Sequence, residues 1–188
     1  NGYEAAAFLI EQFKDTGLKA ADDKDHGLDL DAMALDYSKK YKDYKSEQKA
    51  MGNLEYAKVP CINHPIFKGK DINFDPREEF VRKLFAEKGI SNVFLDYYHS
   101  IVNSMFKAKV SKNVYCVNID AVIAVILLKM VWGEYKAGKM AERDIETSSF
   151  ATFLFGRMIG CAAEIDDHTF RGKNMDTRTA ASKCSFVG

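Results

Sequence analysis

Residues 117–132 read VNIDAVIAVILLKMVW, with a single carboxylate, Asp120, ahead of eight consecutive apolar residues, Ala121–Leu128. Lys129 interrupts the run, which is far short of the roughly 20 residues that cross a bilayer, so the stretch predicts a buried helix. Asp120 then has two readings. In the first helical turn it complements the positive end of the dipole and takes unpaired N–H groups. At the mouth of an apolar element it is also placed to take a proton.

The same periodicity extends the helical reading along most of the chain. YEAAAFLIEQF at 3–13 carries apolar residues at helical spacing. After a polar linker at 19–27, Leu30, Met33, Ala34, Tyr37, Tyr41 and Tyr44 mark an amphipathic helix whose lysines read as solvated charge. The prolines, at 60, 65 and 76, are confined to one region, where VPCINHPIFKGKDINFDP at 59–76 reads as a loop with a possible short β-hairpin near 59–74. Asp75 and Pro76 then open a helix that Gly89 ends. Further helices are predicted over about 92–107, 118–136 and 142–168. Strand signals are too sparse for a sheet, so the fold class is all-α.

With 188 residues, 47% of them hydrophobic, the chain can bury a sizeable core. Its 27 basic and 27 acidic residues cancel, giving no field that would attract nucleic acid. The start has no basic stretch followed by an apolar one, so no signal peptide is read, and a cytoplasmic location is expected, or the mitochondrial matrix in a eukaryote. Cys61, Cys116, Cys161 and Cys184 are widely spaced, without CxxC or histidine at ligand spacing, and read as reduced thiols with no metal.

Four residues stand out against this helical background: His64 in the proline-flanked loop, Arg77 at the start of the next helix, Asp120, and Arg157 inside FATFLFGRMIGCAA. Each has an ordinary reading: a structural loop histidine, surface or ion-paired arginines, a helix cap. An arginine within an apolar helical face needs a carboxylate such as Glu164, or an anionic ligand, because an unpaired buried charge is costly. Arg178, in the polar tail, is by itself a surface cation.

In order, CINHPIFKGKDINFDPREEF, NVYCVNIDAVIAVILLKM and FLFGRMIGCAAEIDDHTFRGKNMDTRTAAS resemble the C-terminal half of the citrate synthase superfamily, which includes the lyase module of ATP-citrate lyase. The resemblance covers roughly 52–180 and, weakly, 1–15. It implies a multihelical fold in which 1–116 form a small lobe and 117–188 the terminal helices of a large lobe. It further implies an acyltransferase joining acetyl-CoA to oxaloacetate, or cleaving citryl-CoA in reverse, with CoA as substrate and no bound cofactor. His64 would polarise the oxaloacetate carbonyl, Asp120 would be the general base, and Arg77, Arg157 and Arg178 would clamp carboxylates. Arg178 would arrive from a neighbouring subunit, implying a homodimer.

The family pattern Gly-x-Gly-His-Arg is replaced here by Cys61-Ile62-Asn63-His64-Pro65. Ile62 and Asn63 remain the loop positions expected against CoA, and Lys68 or Lys70 could replace the missing arginine. The intervals from His64 to Arg77 and from Asp120 to Arg157 are long, which favours the lyase module slightly. A further catalytic histidine of the family would fall before Asn1, so the chain is expected to be the C-terminal portion of a longer enzyme. Two alternatives are a non-catalytic helical module for dimerisation or for binding CoA or carboxylates, and a 2-methylcitrate synthase acting on propionyl-CoA.

Overall fold

A computed structural model describes residues 1–171. Six helices follow one another: α1 (Gly2–Phe13), α2 (Leu30–Ala50), α3 (Pro76–Glu87), α4 (Val93–Lys107), α5 (Ile119–Lys136) and α6 (Glu142–Arg171). The fold is all-α. The chain divides into two units, Asn1–Phe150 and the residues from Ala151 onward, and α6 begins in the first.

Local chemistry sets the helix ends. The Asp75 carboxylate accepts the Arg77 N–H at 3.0 Å, with Pro76 in the first turn, where its missing N–H costs nothing. Beyond α3, Gly89 supplies the left-handed φ of +65° that turns the chain out of the helix. Asn92 caps α4 by accepting from Phe94 and Leu95, while its Nδ2 donates to the Val125 carbonyl of α5 at 2.9 Å. One side chain thus starts a helix and pins it to its neighbour.

Helix α4 packs against α2 and α5, and α5 also packs against α1 and α3. The apolar run of α5 buries Ala121, Val122, Ala124, Val125, Leu128 and Trp132, whereas Met130 faces outward. Phe94 meets Phe13 and Trp132 edge-on at centroid separations of 5.1 and 5.0 Å. The Trp132 indole N–H donates to the Leu18 carbonyl at 3.0 Å, so its one polar atom is satisfied in the core. Each of these large side chains contributes about 2 kcal/mol by burial. At Gly2 an added Cβ would lie 2.8 Å from Ser149 Oγ, which records the close approach of α1 to the start of α6.

The hairpin expected within 59–74 does not form. Among the described residues, Ile62 instead makes an isolated antiparallel bridge to Val117, and Ile72 a parallel one to Val114. Asn63 N–H donates to Cys116 O at 2.8 Å and Asn118 N–H to Cys61 O at 3.0 Å. Pro60 and Pro65 have no N–H to offer, and Cys61, Asn63 and Gly69 take positive φ, which breaks the extended run each strand would need. The segment ahead of α5 therefore collects both pieces. No helix of the described residues is long and apolar enough to cross a membrane.

Candidate functional site

The bridge between 62 and 117 joins the histidine loop to the head of α5. Within it, Cys61 and Asn63 hold φ of 59° and 63°. The left-handed region costs an ordinary L-residue about 1–2 kcal/mol, and asparagine tolerates it best. The two backbone hydrogen bonds to 116–118 hold this conformation in place. Cys61 is buried, its thiol donating to the Asn1 carbonyl at 3.1 Å. Burial pushes that thiol up to about 12, the chain's amino group opposing the shift and the Asp120 carboxylate adding to it.

His64 follows directly. Its Nδ1 lies 3.2 Å from the Ile66 backbone N–H and accepts from it, so the proton of the neutral ring resides on Nε2, which is left as a donor. The ring stacks on Phe67 at 4.6 Å, and the Arg77 guanidinium lies 5.8 Å from the same Phe67 centroid. Asp75, fully buried, holds Arg77 by a fork: Nε donates at 2.9 Å and Nη2 at 2.6 Å. Among the described residues the Nη1 side of the guanidinium has no hydrogen-bond partner. Nearby, the Cys116 thiol donates to Phe67 O at 3.5 Å, and burial pushes it up to about 11. His64, Phe67, Arg77 and Asp75 therefore form one connected group.

Asp120 sits in the first turn of α5, but it does not cap the helix. The N-cap residue is Asn118, whose side chain makes no capping bond. Asn118 Oδ1 and Asp120 Oδ1 are both buried without a hydrogen-bond partner among the described residues. Asp120 acts electrostatically on Cys61 and on Tyr98 of α4. The Tyr98 hydroxyl is likewise buried without a partner among the described residues. Burial holds its phenol well above the usual tyrosine range, with Cys61, Tyr37, Tyr97 and Asp120 adding to the effect.

Beside the loop lies a cavity of about 250 Å³ lined by Tyr41, Lys45, Tyr56, Lys58, Ile62 and Asn63, with Met105 and Val110 among its apolar walls. Ile62 and Asn63 thus line a half-open pocket, whereas Lys68 is exposed and does not line it. Lys45, read from sequence as solvated, donates to the Val110 carbonyl at 3.1 Å on the cavity wall. On α2, Tyr37, Tyr41 and Tyr44 form a continuous ring contact, of which Tyr41 reaches the cavity wall.

Arg157 lies in the second unit, exposed, with its guanidinium 5.6 Å from the Phe153 ring. The expected buried face around it is not buried: Leu154, Phe155, Met158 and Ile159 are exposed, so the charge has no desolvation to offset. Arg178 and Cys184 lie outside the described residues. Cys61, Cys116 and Cys161 are free thiols. Among the described residues no group of three or more His, Cys, Asp or Glu is arranged to hold a metal ion. Comparison with protein-family models, with curated proteins and with solved structures returns no match.

Proposed function

We propose that the chain is a segment of an enzyme performing carbon–carbon bond chemistry of the citrate synthase type, on acetyl-CoA and oxaloacetate or, in reverse, on citryl-CoA. Asp120 removes a methyl proton from acetyl-CoA. The enolate carbon then forms a bond to the oxaloacetate carbonyl carbon, whose π electrons move onto oxygen. His64 Nε2–H donates to that developing oxyanion. Arg77 binds a substrate carboxylate through its Nη1 side. Water then hydrolyses the citryl thioester, releasing citrate and CoA.

The observation that carries this reading is the His64–Phe67–Arg77 group, in which a donor-oriented imidazole and a carboxylate-binding guanidinium share one aromatic platform. The left-handed φ at Cys61 and Asn63 adds support, because glycine, which the family pattern has at both positions, takes that conformation most readily. The cavity beside Ile62 and Asn63, with two lysines and three tyrosines including Tyr115, suits the nucleotide end of CoA.

Calorimetric titration of the chain with CoA and with citrate tests the proposal. Both ligands are expected to bind, with citrate weakened about tenfold in Arg77→Lys, which keeps the charge and loses the fork. Binding of neither ligand overturns the reading.

A further inference from the structure

The segment between α2 and the histidine loop is tied to α2 at one residue. Tyr41 Oη donates to the Ala57 carbonyl and Tyr44 Oη accepts the Ala57 N–H, both at 3.3 Å. Two hydroxyls of a helix thereby serve both backbone groups of Ala57, as a partner strand otherwise does. The Tyr44 and Tyr56 rings meet edge-on at 6.3 Å. Burial pushes the Tyr41 phenol up to about 12, with Tyr56 and Tyr44 adding and the Val59 N–H opposing, so at neutral pH the phenol remains a donor.

The residues on either side of Ala57, Tyr56 and Lys58, both line the pocket of about 250 Å³. Its lining holds two cations, Lys45 and Lys58, and no carboxylate. The acid nearest in the chain, Glu55, lines a different hollow beside Tyr3 and Phe8, which Lys58 also borders. Lys45 already gives one proton to the Val110 carbonyl. Lys58 is exposed and has no hydrogen bond or ion pair among the described residues, so all three of its protons are uncommitted. Such an ammonium binds a phosphate oxygen as a point charge. At the nucleotide end of CoA the strongest partner is the ribose 3′-phosphomonoester, which carries close to two negative charges near neutral pH.

We propose that Lys58 is a specificity residue of this pocket, pairing with a nucleotide phosphomonoester, and that Tyr44 is a positioning residue that holds it through the Ala57 peptide. The inference rests on the pocket taking the nucleotide end of CoA and deepens that reading. The phosphomonoester is the group by which CoA differs from dephospho-CoA.

Calorimetry with CoA, dephospho-CoA and adenosine 3′,5′-bisphosphate reads this directly. CoA is expected to bind about tenfold more tightly than dephospho-CoA, an advantage lost in Lys58→Met and retained in Lys58→Arg. Tyr44→Phe alters no residue lining the pocket. In that chain the Ala57 amide is expected to exchange faster with solvent and the advantage of CoA to fall about threefold. Equal affinity for CoA and dephospho-CoA, or an advantage that survives in Lys58→Met, overturns the proposal and leaves the functional reading standing. An advantage untouched in Tyr44→Phe overturns the positioning role. If the chain binds neither CoA nor citrate, yet binds adenosine 3′,5′-bisphosphate about tenfold more weakly in Lys58→Met, the phosphate site stands and the functional reading falls. Binding of none of the three nucleotides overturns the site itself.

Discussion

The heads of α3 and α5 both carry a carboxylate with a buried oxygen, and they treat it in opposite ways. At α3, Asp75 accepts the Arg77 backbone N–H and both arms of its guanidinium fork. Glu78, one turn on and equally buried, lies 2.9 Å from His99 Nε2 and 3.3 Å from Arg82 Nε. At α5, Asn118 forms no capping bond and Asp120 keeps a buried oxygen without a partner among the described residues. A carboxylate saturated by donors has its buried oxygens satisfied and stabilises the fold. One left short of donors contributes less to stability and is available to a substrate.

The comparison breaks most readily through Arg77. Arg77→Ala leaves Asp75 buried and unpaired, and denaturant unfolding should show a loss of about 3–5 kcal/mol. Asp120→Asn should do the reverse, with unfolding changed by less than about 1 kcal/mol and turnover in the proposed condensation, read in the longer enzyme, reduced about a hundredfold or more. A large stability loss at Asp120 would make it a structural acid like Asp75. At the cap positions themselves, Asp75→Ala should cost at least about 1–2 kcal/mol and Asn118→Ala under about 0.5 kcal/mol, because only the first removes a bond.

The loop that meets α5 provides a finer test. Cys61 and Cys116 are both buried thiols, but only Cys61 has positive φ. Glycine at 61 relieves backbone strain, whereas glycine at 116 adds chain entropy to the unfolded state, so Cys61→Gly should be milder than Cys116→Gly by about 1–2 kcal/mol. Equal losses would mean that the left-handed loop stores no strain. With its thiol pushed to about 12, Cys61 should resist iodoacetamide at pH 8 in the folded chain while exposed Cys161 is alkylated, as peptide mass mapping would read.

The legible part of the site was local. Asp75, Pro76 and Gly89 announce a helix, and an arginine two residues after its cap aspartate falls within reach of it by covalent geometry alone. His64 and Asp120 were visible as residue types in unusual settings, but their states were not. The proton position on His64 follows from the turn to Ile66, and the unpartnered Asp120 oxygen follows from what packs over α5 from α4 and from the loop around 61. Arg157 misled for the same reason: FATFLFGRMIG is apolar in sequence, yet most of those side chains are exposed.

The amino-acid sequence by itself determined the six helices and nearly all their ends, because capping bonds, proline placement and apolar spacing act over a few residues. Tertiary structure decided how Cys61-Ile62-Asn63 pairs with 116–118 and not with its own neighbours. It also decided which carboxylates were saturated, and that Lys45 of a wet-looking helix lines a cavity. Those outcomes depend on which backbone and side-chain groups, some fifty residues apart in the chain, compete for the same few donors and acceptors.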